Sequence, residues 1–471
     1  MIEIGRRQLN FAEGLIAEEV GDLWEDWMRQ VDEVLTDQQL LSTVYEALAR
    51  RWPNSRTRGR KGTPAEVVLR LLLLKHIRNW SYAILEREVR ANLVYRQFTR
   101  VGAAKVPDAK TLGKLGLALG PEVIEQMHHR VVAIARERRI VAGRRLRVDT
   151  TVVETDIHYP TDSSLLGDAV RVLTRTMKRI ARLAGAAGEK LRDRTRSVRH
   201  RLIEIGRASR SRSGQGKEKL KQTYRKLLAG TGRVVAQAQR FAGEVATGVK
   251  HATSLVEQAL LEASRYYLET MIPRARQVMR QARERIVKGN THLAGKIVSL
   301  FEPHTEIIRK GKAAKPTEFG KMIKIQEAER QIITHYQVYD ERPNDVDLLI
   351  PAIKVHQQRL GRVPRLVTAD AAFFSTTNEA AAHAIGVKRL SIPNRSTKSA
   401  QRKKLEKKRW FRNGQKWRTG SEGRISLVKR RHGLNRCRYK GQQGIKRWVG
   451  LGVIGDNLIN IGRALATSAR S

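Results

Sequence analysis

The order of strand-like and helix-like segments is the feature that most limits what this chain can fold into. Residues 144–157, RRLRVDTTVVETDI, are rich in β-branched side chains and predict a strand. From about residue 165 to 288 the pattern is helical, and strand-like patterns return only after Gly289. If both groups of strands share one sheet, the helical stretch between them is an insertion within a single domain.

The inserted stretch predicts two or more long antiparallel helices. Apolar residues recur at steps of three and four, which places them on one face of a helix: Leu166, Val170, Leu173, Met177, Ile180 and Leu183. The segment SRSRSGQGKEK at 209–219 interrupts this pattern and predicts a turn. The Lys and Arg of the opposite face are either a solvated scaffold surface or, beside a DNA enzyme, a surface that grips phosphate.

The segments after Gly289 alternate between strand and helix. Strands are predicted at 296–303 and within 322–341, 364–370 and 387–393, and helices at 345–361, 376–386, 422–434 and 452–465. Thr376 and Glu379 predict a capping box for the second helix, and Gly386 predicts its end. With the insertion set aside, this order is that of an α/β domain of the ribonuclease-H kind.

The part of the chain before the first strand predicts helices only. Residues 1–62 combine an acidic helical segment with a basic linker, and residues 63–140 predict three short helices with basic faces. Such helices suggest a helix-turn-helix-like DNA-binding domain, although an ordinary helical domain with solvated cations fits the same pattern. We expect four regions: 1–62, 63–140, a ribonuclease-H-like catalytic domain of 141–164 and 289–471, and a helical insertion of 165–288.

The charge balance points to a polyanionic partner. The 471 residues contain 92 Lys and Arg against 46 Asp and Glu, a formal net charge of +46. DNA, with one negative charge per ~1.7 Å of duplex axis, would offset the self-repulsion of such a chain. Because 41% of the residues are hydrophobic, this is a folded protein and not a disordered basic tail.

Cysteine content and apolar runs limit the remaining classes. Cys437 is the single cysteine, which excludes an internal disulfide and a multi-cysteine zinc site. The longest apolar runs are far shorter than the ~20 residues needed to span a bilayer, and the first residues contain no apolar signal core. We expect a cytoplasmic, nucleoid-associated protein that does not contact a membrane.

Three carboxylates are candidates for metal-dependent chemistry on DNA. Phosphodiester cleavage or transfer is commonly served by two Mg²⁺ ions about 3.5–4 Å apart, held by a few carboxylates. Asp149 lies within a predicted strand, Asp370 at the carboxyl end of the strand PRLVTAD, and Glu422 on a predicted helix. Their alternative roles are an edge-strand acid facing water, a turn former and a member of a solvated salt-bridge ladder, respectively.

Helical spacing would place Glu422 between two cations. Arg418, Glu422 and Lys429 are four and seven residues apart and share one face if the stretch is helical throughout, although Gly420 leaves the helix start open. Spacing alone does not exclude other acids. Those that compete with Asp149 are Glu154, Asp156, Asp162 and Asp168, and those that compete with Asp370 are Asp340, Asp345 and Asp347.

Taken together, these segments resemble the DDE transposases of bacterial insertion sequences, in particular those with a Tyr-Arg-Glu-Lys signature around the catalytic Glu. The resemblance covers nearly the whole chain. It is carried by AEVVLRLLLLKHIRNWSYAILEREVRANLVYRQFTRV, VDTTVVETDIHYPTDSSLL, KGKAAKPTEFGKMIKIQ, VTADAAFFS with SIPNRS, and WRTGSEGRISLVKRRHGL. No one of these motifs is specific by itself, but their shared order is.

The resemblance implies a role for each candidate. Asp149, Asp370 and Glu422 would be the catalytic and metal-binding acids. They would bind two Mg²⁺ ions, for which Mn²⁺ can substitute. Arg418 and Lys429 fall on the signature's cations, which contact DNA near the cut. Gln415 stands where the signature has Tyr, so that Trp410, Phe411 or Trp417 would have to supply any aromatic stacking. The family fold is ribonuclease-H-like.

The partners expected are double-stranded DNA, as transposon ends and target, and further copies of the chain in a homodimer or higher oligomer on DNA. A dense basic run at 395–412 would clamp phosphates. Its predicted contacts are Arg395, Lys398, Arg402, Lys403, Lys404, Lys407, Lys408 and Arg409. Two alternatives stay open: a ribonuclease-H-like nuclease that cuts without joining, and an inactive transposase-derived DNA-binding protein.

Overall fold

The computed structural model describes residues 1–5, 14, 18–51, 54–185, 187–211, 213–309 and 316–470. The chain forms two compact units, the first made of Met1–Asp156 with Gly320–Ser471 and the second of Ile157–Phe319. The second unit includes the whole predicted insertion, 165–288, and extends beyond it at both ends.

Seven helices precede the first strand in the described residues. They are α1 (Asp26–Val34), α2 (Gln38–Ala49), α3 (Ala65–Ile77), α4 (Tyr82–Ala91), α5 (Leu93–Phe98), α6 (Ala109–Ala118) and α7 (Pro121–Glu137). Ser81 caps α4 and Asp108 caps α6, because each side chain accepts hydrogen bonds from the first turn of its helix. Helices α4 and α5 are separated at Asn92, whose side chain caps α5.

The N-terminal helices share one hydrophobic core with the last helix of the chain, α16 (Gly441–Arg470). Leu451, Ile454 and Leu458 of α16 are buried in this core with residues of α1, α3 and α7. Gly462 permits the close approach of α1, since a Cβ there would lie 2.6 Å from the Trp27 carbonyl oxygen. Residues 63–140 are therefore not a compact unit of their own.

A mixed sheet follows. Its strands are β1 (Arg145–Glu154), β2 (Glu306–Arg309), β3 (Thr317–Glu327), β4 (Ile333–Val338), β5 (Leu366–Thr368) and β6 (Arg389–Ser391). The order is β2-β3-β1-β5-β6, with β4 also on β3. Strand β1 is antiparallel to β3 and parallel to β5, and β5 is parallel to β6. The protein is thus mixed α/β, with the strands on both sides of the insertion in one sheet.

Helices cover the two faces of this sheet. They are α12 (Leu349–Leu360), α13 (Thr376–Ile385), α14 (Ala400–Lys407) and α15 (Arg409–Arg431). Leu146 and Val148 of β1 pack in the core with α12 and α13, whereas Val153 packs with α15 and α16. Because side chains alternate along a strand, Asp149 lies on the face that α15 covers.

The second unit is built on four helices: α8 (Asp162–Ala184), α9 (Thr195–Ala208), α10 (Gly214–Ala246) and α11 (Leu255–Ile286). Their facing sides form a separate hydrophobic core, which includes Leu166, Leu173, Met177 and Ile180 of the predicted stripe. The predicted interruption at 209–219 includes the connection between α9 and α10, but its residues 214–219 belong to the beginning of α10. In the described parts of the chain, every helix is too short or too polar to cross a membrane.

Two local predictions are wrong. Residues 296–303 form no strand, because Gln281 of α11 hydrogen-bonds to both the N–H and the carbonyl of Ile297 while Leu300 packs in the helical core. The cap of α13 is Ser375, whose hydroxyl accepts from the Asn378 N–H; Glu379 instead pairs with Arg402. Residues 310–315, which begin the motif KGKAAKPTEFGKMIKIQ, lie outside the described residues.

A buried lysine links the N-terminal and C-terminal helices of the first unit. Lys75 of α3 is 3% exposed, and its Nζ lies 4.8–4.9 Å from the ring centroids of Tyr82, Tyr439 and Trp448. Burial and, to a smaller extent, the nearby Arg438 guanidinium lower the pKa of Lys75 from 10.5 to about 7. The attraction between the lysine ammonium and the faces of the three aromatic rings offsets part of the cost of burial.

We expect the stability of the wild type, relative to Lys75→Met, to rise between pH 7 and pH 9. In that interval the unfolded chain binds a proton at Lys75 that the folded chain does not. The free energy of unfolding therefore rises with pH, by about 2 kcal/mol over the interval. Urea unfolding of both proteins at pH 7, 8 and 9 measures the difference. Parallel stability curves for the two proteins would contradict the lowered pKa.

Candidate active site

The register of two parallel strands brings Asp149 and Asp370 side by side. Arg147 of β1 pairs with Thr368 of β5, and each aspartate follows its pairing residue by two positions. Neighbouring strands are about 4.8 Å apart. Asp149 Oδ1 accepts from the Thr150 N–H at 2.8 Å, and Asp370 Oδ1 accepts from the Ala372 N–H at 2.9 Å. Backbone amides therefore fix both carboxylates at one end of the parallel strands.

Helix α15 carries Glu422 across the same face of the sheet. The helix is continuous from Arg409 to Arg431, so Arg418, Glu422 and Lys429 do lie on one helix. Its glycines allow close packing on the strands. A Cβ at Gly414 would lie 2.7 Å from Ser391, and one at Gly420 would lie 2.6 Å from the Arg147 guanidinium. Gly420, which leaves the helix start open in the sequence, is thus a position where the helix closely approaches the sheet.

Electrostatics shows that the three acids share one region. Burial, with a smaller contribution from the negative charges of Asp370 and Glu422, raises the pKa of Asp149 to about 6, although the Thr150 N–H and the Arg418 guanidinium act to lower it. Asp149 is 8% exposed. The Glu422 carboxylate is 62% exposed and accepts from Arg418 at 3.1 Å. Asp149 thus lies in a field of like charge that a bound cation would relieve.

The three carboxylates are not gathered into one tight ligand set. Within the described ranges, no three acidic, His or Cys side chains lie close enough together to hold a single ion. The pair that holds Glu422 to Arg418 is an exposed i,i+4 pair, worth less than about 1 kcal/mol. A rotation of the Glu422 side chain would therefore cost little.

The competing acids have other partners or another place. Asp156 pairs with Arg436 at 3.0 Å and Asp340 with Lys446 at 3.0 Å. Asp345 accepts a hydrogen bond from Thr150 Oγ1 at 2.9 Å, and Asp347 accepts one from the Asn344 amide at 3.2 Å. Asp162 forms an ion pair with Arg285, and Asp168 forms ion pairs with Arg171 and His158. Glu154 ends β1, where its backbone bonds to Asn435 and Cys437. Asp162 and Asp168 belong to the second unit.

Gln415 has a structural role at the position where the signature has Tyr. It is half-buried, and its amide donates to the Ser391 hydroxyl at 3.2 Å as well as to the Ser391 carbonyl. The three nearby aromatic residues are not free for stacking on both faces. Phe411 is buried, the Arg389 guanidinium lies over Trp410, and Arg147 lies over Trp417.

The basic run divides into exposed cations and one interior arginine. The exposed ones are Arg395, Lys398, Lys403, Lys404, Lys407, Lys408 and Arg409. Arg402, by contrast, is 9% exposed, pairs with Glu379 at 2.6 Å and Glu406 at 3.0 Å, and lies over the Phe374 ring. The structure uses Arg402 to hold α13 and α14 together, which corrects its placement among the predicted DNA contacts.

Two buried ion pairs that the sequence analysis did not identify position α15. Arg147 pairs with Glu327 across β1 and β3 and also donates to the Trp417 carbonyl. Arg424 of α15 donates to Asp456 of α16 at 2.8 Å. The four side chains are at most 5% exposed. No spacing rule connects residues so distant in sequence, so only the fold reveals these pairs.

Comparison with known families agrees with this architecture. Residues 22–115 match the family described as "Transposase domain (DUF772)", and residues 381–461 match the family described as "Transposase DDE domain". The second match contains Glu422 and α15. No curated protein and no solved structure matches the chain.

The two matched segments are similar to domains of transposases, a class of protein that acts on DNA. Together they support a DDE transposase of an insertion-sequence family. Such DDE domains generally use divalent metal ions.

Proposed function

We propose that this transposase binds the terminal inverted repeats of its element, cuts DNA strands there and joins the 3′-hydroxyl ends to target DNA. Asp149, Asp370 and Glu422 are the catalytic acids, on a ribonuclease-H-like core. The observation that carries the proposal is the parallel register of β1 and β5, which places Asp149 beside Asp370, with Glu422 on the helix that covers the same face. The raised pKa of Asp149, caused first by burial and then by Asp370 and Glu422, agrees with this placement. Competing acids such as Asp156 and Asp340 are paired with cations instead.

The donor set of these three residues suits Mg²⁺, with Mn²⁺ as a substitute. All donors are carboxylate oxygens, which hard divalent cations prefer. Two bound ions would supply Lewis-acid stabilisation of the attacked phosphate and of the leaving oxygen. The protein's own contribution is to fix Asp149 and Asp370 through backbone N–H bonds and to place Glu422 on a helix buttressed by buried ion pairs.

DNA contacts are assigned to exposed cations around this centre. Arg418 and Lys429 on α15 flank Glu422, and the seven exposed cations of the basic run bind phosphates further away. The N-terminal helices recognise the repeats. Joining two ends at one target requires two active sites, so the active form on DNA is a dimer or higher oligomer. The protein acts on the nucleoid, in the cytoplasm of a bacterium.

A strand-transfer assay separates this function from that of a nuclease. Purified protein, Mg²⁺ and a pre-cut duplex ending in a terminal-repeat 3′-hydroxyl are incubated with supercoiled target DNA. We expect covalent joining of the duplex to the target, which disappears when a 3′-deoxy end replaces the hydroxyl. Cutting of an uncut end without any joining would indicate a nuclease, and binding without metal-dependent cutting would indicate an inactive DNA-binding protein.

A further inference from the structure

A second basic site lies at the opposite end of the parallel strands from the catalytic acids. Five exposed cations surround a cleft of about 510 Å³ where β1, β5 and β6 begin: Arg144, Arg145, Arg365, Lys388 and Arg389. Trp410 and Trp417, on the first turns of α15, form its other wall. The cleft lies within the first unit and on the face of the sheet that α15 covers.

The tryptophan rings hold arginines in place and do not offer open faces. The Arg389 guanidinium lies 5.7 Å from the Trp410 ring centroid, and that of Arg145 lies 6.0 Å from the Trp417 ring centroid. Cation–π contact of this kind orients a guanidinium without neutralising its charge. The arginines therefore lose less side-chain entropy when they bind an anion. Since guanidinium groups already lie over both rings, the site favours phosphate over a stacked base.

The cleft has more positive than negative charge. Among the described residues, none of the five cations forms an ion pair with a carboxylate. The Glu329 carboxylate lies beside Arg144 and Arg145, where it accepts hydrogen bonds from their backbone N–H groups at 2.6 and 2.9 Å. Five cations outside any ion pair around one cleft attract a partner with several closely spaced negative charges.

The position of the cleft fits a DNA backbone that also reaches the catalytic acids. Arg145 and Asp149 are four residues apart on β1, which at about 3.3 Å per residue gives about 13 Å. This is the length of about four base pairs, at 3.4 Å per pair. Arg409, the last exposed cation of the basic run, directly precedes Trp410 in sequence.

We propose that this cleft binds the phosphate backbone of duplex DNA about four base pairs from the phosphate that is cut. The inference rests on the proposed DNA cleavage but concerns a site separate from the acids. Lys388 and Arg389 are its principal phosphate contacts, Trp410 orients Arg389, and Arg144, Arg145 and Arg365 extend the contact along the strand.

The test compares the salt dependence of DNA binding in two charge-matched double variants. Lys388→Gln/Arg389→Gln removes one Lys and one Arg from the cleft. The control, Arg342→Gln/Lys354→Gln, removes one of each from exposed positions outside the cleft. Fluorescence anisotropy with a labelled terminal-repeat duplex is measured from 50 to 300 mM salt, in chelator, so that no cleavage takes place.

We expect the cleft variant to bind roughly ten- to sixty-fold more weakly at 0.1 M salt, with a log–log salt slope shallower by about 1.8, because two phosphate contacts are lost. The control should follow the wild type closely. Neutral methylphosphonates placed three to five nucleotides from the cut should weaken binding of the wild type but not of the cleft variant.

Three results would overturn the inference. Equal slopes for the cleft variant and the control would show that the cleft binds no phosphate. If methylphosphonates weaken binding of the wild type only at positions other than three to five nucleotides from the cut, the duplex does not pass through the cleft at the proposed distance. A change in the protein's self-association without DNA would show that the cleft takes an acidic segment of a second copy. If the wild type itself binds no DNA, the proposed function fails as well, whereas the first three results leave it intact.

Discussion

Asp149→Asn is expected to reduce Mg²⁺-dependent cleavage of a terminal-repeat duplex by about 10³-fold or more while binding of the duplex is retained. The amide has the size of the carboxylate but not the charge, so the variant loses an anionic metal ligand. A metal ion contributes several kcal/mol to transition-state stabilisation, and about 4 kcal/mol corresponds to a factor of 10³. Cleavage is followed with an end-labelled duplex under single-turnover conditions.

Asp345→Asn is the matched control for this substitution. Asp345 accepts from the hydroxyl of Thr150, the residue next to Asp149, but it lies with the side chains of the other sheet face. It should retain activity within a few-fold of the wild type. Asp370→Asn and Glu422→Gln should lose Mg²⁺-dependent cleavage to a similar extent as Asp149→Asn. Cleavage near the wild-type rate in any of these three variants would remove that residue from the proposed centre.

The second large effect is expected from Asp456→Ala, which should lower the free energy of unfolding by about 3–5 kcal/mol. Asp456 is 1% exposed, and its loss leaves the buried Arg424 guanidinium without its carboxylate partner. The Asn460 amide, which donates to Asp456 at 3.2 Å, loses an acceptor too. Because Arg424 lies two residues from Glu422 on α15, cleavage activity should fall together with stability. Urea unfolding at pH 7 measures the first effect.

Asp340→Ala provides the control, since it removes an aspartate that also pairs with α16 but at the surface. Its partner is Lys446 at 3.0 Å, and both side chains are 30% or more exposed. We expect a loss below about 1 kcal/mol. The double variant Arg424→Met/Asp456→Leu should recover most of the stability, because apolar side chains replace both charges. Equal losses for Asp456→Ala and Asp340→Ala would contradict the buried-pair account.

The sequence was informative where one local pattern determines structure. A high content of β-branched residues predicted β1, and the three-and-four spacing predicted the helical insertion, so the segments on either side of the insertion followed from local patterns. The aspartates could be found because an acid stands out against a strand's apolar neighbours. Parallel pairing of β1 with β5 then brings Asp149 next to Asp370.

Features that depend on contacts between distant residues could not be predicted. The interior role of Arg402 requires Glu379 and Phe374 from another helix, and its neighbours in sequence are exposed lysines. Residues 296–303 have a strand-like composition, but side chains of α11 satisfy their backbone groups. The N-terminal helices gain their core from α16, at the other end of the chain. Local propensity contains none of this information.

Iron-directed cleavage of the protein chain tests most directly whether Asp149, Asp370 and Glu422 bind the same metal ions. Fe²⁺ replaces Mg²⁺ in the protein–DNA complex, and the hydroxyl radicals formed with ascorbate and peroxide cut the backbone nearest the ion. The account predicts cuts clustered at 149, 370 and 422 that excess Mg²⁺ suppresses and that Asp149→Asn/Asp370→Asn abolishes. Cuts at other acids, such as Asp168 or Asp347, with none at these three, would contradict it.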